Sequence, residues 1–196
     1  MLANTTSPMT SIAFVGAGPT AIYTLHALVQ KASAPFTLTI FEEQRSAGRG
    51  TPYRPGWNDP AMLSNIASIE IPPLEQTLSD WLRAQSAERL RAHGIDPGAI
   101  NDRAFYPRVA LGEFFKDQFD AILERAGRSG IDVRLKTCCR VTDAISSADG
   151  LTLTVRPLHA ADYTERFDHV VLATGHQWPA HPEVRPGYFA SPWPAS

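Results

Sequence analysis

Residues 11–21 read Ser-Ile-Ala-Phe-Val-Gly-Ala-Gly-Pro-Thr-Ala, and this stretch decides the fold. Its first half, Ser11–Val15, is a short apolar run that stops at Gly16, which predicts a buried strand. Apolar side chains then recur on one helical face over residues 19–32, which predicts an amphipathic helix. Residues 36–41 form a second β-rich run. The order strand, glycine turn, helix, strand is typical of the first unit of an open parallel sheet.

The turn between that strand and helix has the spacing of a phosphate cradle. Gly16 would permit the tight turn, Gly18 would let the backbone approach a pyrophosphate, and Ala21 would still allow close helix–strand packing. Pro19 suits the first helical turn, whose free N–H groups attract phosphate. Glu42 ends the second strand, where its carboxylate would bind ribose hydroxyls and repel a 2′-phosphate. The alternative is a glycine turn and a solvent-exposed glutamate that bind no ligand. The complete order of strand, turn, helix, strand and acidic residue favours a dinucleotide site.

Beyond this unit the chain predicts a long loop, helices and then a β-meander. Residues 43–76 have few regular signals but several aromatic and apolar side chains, so a functional loop is favoured over disorder. Residues 77–93 predict one helix and residues 107–126 another. The later β-rich runs are residues 131–135, 139–145, 151–155, 163–167 and 169–173. The predicted fold class is α/β, a Rossmann-like domain with a parallel sheet, an antiparallel β-meander and a helical insertion over about 43–126.

A second motif stands at the end of the last predicted strand. There Ala173-Thr174-Gly175 follows an apolar run, and small residues at a strand end let another group approach the backbone. Alone, this could be any strand that ends in a turn. Together with the cradle and Glu42, it resembles the flavoproteins with two dinucleotide-binding domains. More closely, the chain is similar to bacterial FAD/NAD(P)-binding proteins related to the lysine and ornithine N-hydroxylases. The likeness extends to residues 48–53, 62–66 and 106–114 and covers about residues 11–194.

The resemblance implies FAD as cofactor and NAD(P)H as its reductant. It assigns the pyrophosphate to the cradle, the adenosine ribose to Glu42, and the adenine to the backbone of Val141. The residues it implies for cofactor binding are Gly16, Gly18, Pro19, Thr20, Ala21, Glu42, Arg49, Gly50, Thr51, Leu63, Asn65, Val141, Thr174 and Gly175. Of these, Arg49, Gly50 and Thr51 would lie along the flavin or its phosphates, Leu63 and Asn65 would face the flavin ring, and Thr174 and Gly175 would approach the diphosphate. No catalytic residue and no metal site are assigned.

Two functions stay open at this point. The first is an FAD-binding oxidoreductase domain, the N-terminal part of an NAD(P)H-dependent flavoprotein such as a monooxygenase. The alternative is a non-catalytic FAD/NAD-binding module that needs a partner, because only one cradle is found. The expected organisation is a polar leader at 1–10, the dinucleotide-binding domain at 11–178, and a proline-rich tail at 179–196. That tail resembles a linker into a second NAD(P)-binding domain, which would be supplied by the same protein or by a partner chain.

Composition excludes several other classes of protein. The formal net charge is −2 and no basic block occurs, which argues against a nucleic-acid partner. No run of 18 apolar residues occurs, so no membrane span is expected. The N-terminus lacks the basic residues of a signal peptide, and the adjacent Cys138 and Cys139 are interpreted as reduced thiols, so a cytoplasmic location is predicted. Trp57 and His176 remain open between ring contacts and ordinary loop roles.

Overall fold

The computed structural model describes residues 9–57 and 59–176. The strands are β1 (Ser11–Val15), β2 (Thr37–Phe41), β3 (Asp132–Lys136), β4 (Cys139–Ser147), β5 (Gly150–Pro157), β6 (Tyr163–Phe167) and β7 (His169–Leu172). The α-helices are α1 (Pro19–Lys31), α2 (Leu78–Arg83), α3 (Ala87–Ala92) and α4 (Arg108–Arg128). Short 3-10 turns lie at Thr51–Tyr53, Ser68–Glu70 and Pro97–Ala99. No helix within these residues is long and apolar to the degree that spanning a membrane requires.

A four-stranded parallel sheet forms the centre of the molecule, with the strand order β3-β2-β1-β7. Its two faces bury different partners because neighbouring side chains of a strand point to opposite sides. Phe14 and Ile40 face α1 and α4 in the larger core. Val15 and Phe41 face the antiparallel sheet β4-β5-β6, where the Phe41 and Phe167 rings meet edge to face at 5.9 Å. The predicted parallel sheet with an antiparallel meander is therefore confirmed.

The insertion differs from its predicted secondary structure at one place. A single helix over 77–93 was expected, whereas the chain forms α2 and α3 with a break between them. The Ser86 hydroxyl accepts a hydrogen bond from the Arg89 backbone N–H and so begins a new helix. The predicted cap at Thr77 is present, since its hydroxyl accepts from the Asp80 backbone N–H at 3.1 Å. The single-helix prediction was wrong because apolar spacing continues through a residue that is itself a favourable N-cap.

The remaining elements lie close to their predicted positions. Helix α4 begins after Pro107 and runs two residues past the predicted end at Ala126. The predicted hairpin forms between β4 and β5, with Ser147 paired to Gly150 across the turn. The predicted tail at 179–196, and all but the last two residues of the predicted leader at 1–10, lie outside the described residues.

Candidate functional site

The predicted cradle forms the turn between β1 and α1. Gly16 has φ +97°, a left-handed value that a residue with a side chain adopts only at a cost, and its N–H donates to the Phe41 carbonyl at 2.8 Å. Gly18 is the N-cap of α1 and Pro19 its first residue. The first amides of a helix have no intrahelical acceptor, and here those of Thr20 and Ala21 follow the proline. The start of α1 therefore presents donors and a partial positive charge, as an anion site requires.

Glycines bring two distant segments onto this turn. A Cβ at Gly16 would lie 2.3 Å from the Ala173 carbonyl oxygen, so the Ala173-Thr174-Gly175 motif packs directly on the cradle. A Cβ at Gly18 would lie 3.2 Å from the Cα of Gly50. The Ala173 N–H also donates to the Val15 carbonyl at 2.9 Å. The two motifs of the sequence and the loop of the insertion thus meet at one point.

Glu42 lies beside the cradle at the end of β2. One carboxylate oxygen accepts the backbone N–H of Ala17 at 3.1 Å, and the other accepts that of Gln44 at 2.9 Å. A carboxylate has about four acceptor positions, so lone pairs remain for hydroxyl donors. The Cys139 N–H donates to the Glu42 carbonyl at 3.0 Å, which brings the start of β4 next to this carboxylate. Glu42 is therefore a fixed acceptor between the cradle and β4.

A cleft of about 880 Å³ opens at the carboxyl ends of β1, β2 and β7. One side, the cradle wall, is residues 15–20, and the opposite side, the insertion wall, comprises residues 50–54 and Trp57. Residues 41–44, 139–141 and 173–176 complete the lining. Ligands of open α/β sheets bind at this edge, and the volume falls in the range of small-molecule sites. The structure brings ten predicted site residues to this cleft: Gly16, Gly18, Pro19, Thr20, Glu42, Gly50, Thr51, Val141, Thr174 and Gly175.

Four predicted site residues lie away from the cleft lining. Ala21 is fully buried in the first turn of α1, where its small size allows the expected close packing of helix and strand. Leu63 is half exposed and pairs with Pro107 in an isolated antiparallel bridge, and Asn65 is exposed nearby. Arg49 is half-buried; its Nη1 donates to the Ser46 hydroxyl, while its buried Nε has no partner among the described residues. Cofactor contact by these four stays a prediction.

Several cleft residues were absent from the predicted cofactor set. Tyr53, Arg54 and Trp57 line the insertion wall, and the Arg54 guanidinium lies 5.2 Å from the Trp57 ring centre. Trp57 is 59% exposed, and His176 lines the far end of the cleft. Aromatic and basic side chains in a long loop were the available signal, but nothing in their spacing shows that they face the cradle.

The other singled-out polar groups have modest electrostatic perturbations. Partial burial raises the pKa of the Cys139 thiol, against the opposing effect of Lys136, and both cysteines are free. Cys138 has φ +53°, which turns the chain from β3 into β4. Burial also raises the pKa of Tyr53, and the nearby Arg108 opposes this effect. Both shifts favour the neutral form of the group.

The donor and acceptor set matches a dinucleotide. Glycine backbone and helix amides of the cradle wall suit a pyrophosphate, and a Cβ at Gly16 or Gly50 would fill the space in which the segments meet. The Glu42 carboxylate suits ribose hydroxyls and disfavours a 2′-phosphate beside it. Val141 and His176 line the same cleft as the cradle, and this continuous cleft can hold both halves of such a molecule. The residues present therefore fit an FAD-type cofactor.

Comparison with known proteins supports this geometry. The profile of the family described as FAD-NAD(P)-binding matches residues 13–177. The uncharacterized protein YdhS of Escherichia coli strain K12 is 43% identical over 186 residues, which is 94% of this chain and 34% of YdhS. The chain thus spans about a third of the length of this relative.

Solved structures reproduce the fold. Tmm from Pelagibacter sp. strain HTCC7211 superposes with a TM-score of 0.54 at 22% identity, over 88% of this chain and 38% of Tmm. The open structure of a cyclohexanone monooxygenase gives a TM-score of 0.54 at 22% identity, over 84% of this chain and 26% of the monooxygenase. Both superpositions confirm the predicted Rossmann-like α/β fold.

Proposed function

Because the chain belongs to the FAD-NAD(P)-binding family, we propose that it is the FAD-binding domain of an NAD(P)H-dependent flavoprotein oxidoreductase. The single observation that carries the proposal is the cleft in which the cradle, the Glu42 carboxylate and the Ala173-Thr174-Gly175 motif meet. The three were independent features of the sequence. Their convergence on one space is what a dinucleotide site requires.

In this proposal the cradle wall holds the pyrophosphate of FAD, with the amides of Thr20 and Ala21 and the dipole of α1 directed at its charge. Glu42 accepts the adenosine ribose hydroxyls, and the backbone at Val141 lies along the adenine. Thr174 and Gly175 approach the diphosphate from the β7 side, with Gly50 and Thr51 opposite. FAD, when bound, supplies the redox chemistry, while the protein supplies binding, orientation and exclusion of water.

The reducing partner is expected to be NADH or NADPH bound elsewhere than in this cleft. The fixed Glu42 carboxylate disfavours the 2′-phosphate of NADPH here, and the resemblance to flavoproteins assigns the cleft to FAD rather than to NADH. The chain spans 34% of YdhS, which leaves room in such a longer protein for a second NAD(P)-binding domain. We propose that this domain, or a partner chain, delivers the hydride and that monooxygenation is the reaction class. A cytoplasmic location remains part of the proposal.

The first test is the absorbance spectrum of the purified chain, before and after addition of FAD and removal of excess by gel filtration. We expect a yellow protein with one FAD per chain and micromolar or tighter affinity by titration calorimetry. NAD should compete weakly, because it lacks the flavin half that the insertion wall faces. A colourless protein that retains no FAD would overturn the proposal.

A second measurement separates the oxidoreductase domain from a non-catalytic binding module. The FAD-loaded chain is mixed with NADH or NADPH in a stopped-flow instrument under anaerobic conditions, and the flavin absorbance is followed. We expect slow bleaching by the isolated chain and fast bleaching when the remaining part of a full-length relative is supplied. Flavin that stays oxidised in both mixtures would favour the binding module.

A further inference from the structure

The insertion wall of the cleft rests on helix α4. Gly112, in the second turn of α4, is buried, and a Cβ there would lie 2.2 Å from the Tyr53 carbonyl oxygen and 3.2 Å from the Tyr53 Cβ. Backbone is thus in contact with backbone at this point. Gly112 itself does not line the cleft, whereas Tyr53 and its neighbours Thr51 and Arg54 do.

Two further contacts on the same helix hold the loop in place. The Tyr53 ring packs on Phe115 with ring centres 5.2 Å apart, and Phe115 in turn contacts Tyr23 of α1 at 6.3 Å. Gly48 packs against Lys116 and Phe119, one turn further along. The loop therefore follows α4 from Gly112 to Phe119, and its other side meets the cradle through Gly50.

We propose that Gly112 is a positioning residue for the dinucleotide, because its missing side chain sets the distance between the insertion wall and the cradle wall. The identity of the ligand in this inference rests on the proposed function, whereas the contact between Gly112 and Tyr53 does not. A methyl group at Gly112 would need the Tyr53 carbonyl to retreat by at least about 1 Å to reach ordinary contact distance. No side-chain rotation relieves this contact, because the opposing atom belongs to the backbone. Displacement of residues 51–54 then changes the width of the cleft.

The test compares Gly112→Ala with Gly127→Ala. Gly127 lies in the same helix, and nothing lies within 4 Å of a Cβ placed there. Both substitutions improve helix propensity, so any difference between them comes from the Tyr53 contact. We expect Gly112→Ala to weaken FAD binding at least tenfold by titration at 10 °C, and Gly127→Ala to stay within twofold of the parent chain.

Hydrogen exchange of the apoprotein, followed by mass spectrometry, supplies a readout that does not depend on FAD. The amides of Gly50, Thr51, Tyr53 and Arg54 should exchange at least fivefold faster in Gly112→Ala and at the parent rate in Gly127→Ala. A purely structural role for Gly112 would lower the melting temperature and leave FAD affinity of the folded protein unchanged. That result, or equal exchange in the two variants, overturns the inference.

A second pair of variants covers the case in which Gly112→Ala does not fold. Phe115→Leu removes the ring beneath Tyr53, and Phe114→Leu makes the same change at the adjacent buried residue, whose ring packs on Trp81 and on Phe115. Phe115→Leu should weaken FAD binding about fivefold, and Phe114→Leu less than twofold. Equal affinities in this pair contradict the inference. Failure of the parent chain to bind FAD rejects the proposed function, while the exchange comparison still decides the role of Gly112.

Discussion

The two walls of the cleft face the same space but are held in different ways. The cradle wall belongs to β1 and α1, which are neighbours in the sequence, and its turn hydrogen-bonds to the adjacent strand through Gly16 and Phe41. The insertion wall is loop that contains only the short 3-10 turn Thr51–Tyr53 among its described residues. It keeps its position through Gly50 on the cradle and through Gly112 on α4, about 60 residues further along.

This difference indicates which substitutions should disturb each wall. In a wall built from regular elements, the backbone N–H and C=O groups are hydrogen-bonded within the strand and the helix. Substitutions should therefore disturb such a wall only where they remove an unusual backbone dihedral or a close backbone contact. A wall built from irregular chain depends on distant contacts, so changes far from the cleft alter it. The following predictions are ordered from the largest expected effect to the smallest, and each contrasts the two regions.

The largest effect is expected at the cradle. Gly16→Ala places a side chain at φ +97° and 2.3 Å from the Ala173 carbonyl oxygen. We expect the free energy of unfolding to fall by about 3 kcal/mol in urea titrations and FAD binding to weaken by at least about a hundredfold. Gly130→Ala is the control, because Gly130 also has a left-handed φ of +81° but open space around it. It should cost about 1 to 2 kcal/mol; an equal cost for both variants would show that the Ala173 contact is unimportant.

The next effect is expected at Glu42. Glu42→Ala leaves the backbone N–H groups of Ala17 and Gln44 without their acceptor, which should lower the free energy of unfolding by about 2 kcal/mol. FAD affinity should fall about tenfold. Glu43→Ala provides the stability control, because within the part of the chain that the structure describes its exposed carboxylate makes only a surface pair with Arg140 at 3.7 Å. That pair is worth less than about 1 kcal/mol. Urea unfolding that finds the two variants equally stable contradicts the prediction.

Acid should loosen the insertion before the parallel sheet. Partial burial raises the pKa of Glu113 on α4, but the hydrogen bonds and charge of Arg89, and then of His93, outweigh this and hold the pKa below its ordinary value. A carboxyl with a lowered pKa contributes stability above about pH 4.5, and this contribution is lost as the pH falls through the folded-state pKa. Glu113→Gln should cost about 1 to 2 kcal/mol at pH 7 and progressively less in acid.

The measurement is urea unfolding of the parent chain and Glu113→Gln between pH 7 and pH 3. Hydrogen exchange should show faster opening of α3 than of β1 as the pH is lowered, after correction for intrinsic exchange rates. Asp120→Asn, two turns further along α4, is the matched control, because Asp120 is half exposed and pairs only with Lys116 among the described residues. A pH-independent cost for Glu113→Gln would rule out this linkage.

The smallest effect is expected at the break between α2 and α3. Ser86→Ala removes the hydroxyl that accepts the Arg89 N–H, which should lower the free energy of unfolding by about 1 kcal/mol. FAD affinity should change less than twofold, because this cap lies in the insertion away from the cleft. Ser146→Ala, at an exposed position of β4, should stay within about 0.5 kcal/mol. An intact α3 with no change in the free energy of unfolding in Ser86→Ala would show that the cap is not its determinant.

The cradle could be predicted from the sequence because its signals are local. Strand β1 was predicted at its observed bounds, α1 and β2 to within a residue, and Gly16 and Glu42 take up the expected positions at their ends. The continuous apolar run of β1 and the apolar stripe on α1 depend only on neighbouring residues. The resemblance added Gly50, Thr51 and Val141, which the structure places in the lining of the cleft.

The insertion could not be predicted to the same depth because its structure is set by contacts between distant residues. Leu63 and Asn65 are predicted to face the flavin. Leu63 pairs with Pro107, Asn65 is exposed beside it, and neither lines the cleft, so their contact with the cofactor stays a prediction. The cleft is also lined by Tyr53, Arg54 and Trp57, whose spacing in the sequence does not predict this position. The split of the predicted helix at Ser86 likewise follows from a competition between apolar spacing and a side-chain cap.

By itself the sequence determined the fold class, the cradle and the acidic residue at the end of β2, because hydrogen bonding and burial within one strand–turn–helix–strand unit are local properties. Only the tertiary structure decided which loop forms the opposite wall of the cleft and what holds it there. The physical reason is that Gly50 and Gly112 matter because each lacks a Cβ atom at a close contact with another segment. The effect of the missing Cβ can be judged only when the residue on the other side of that contact is known.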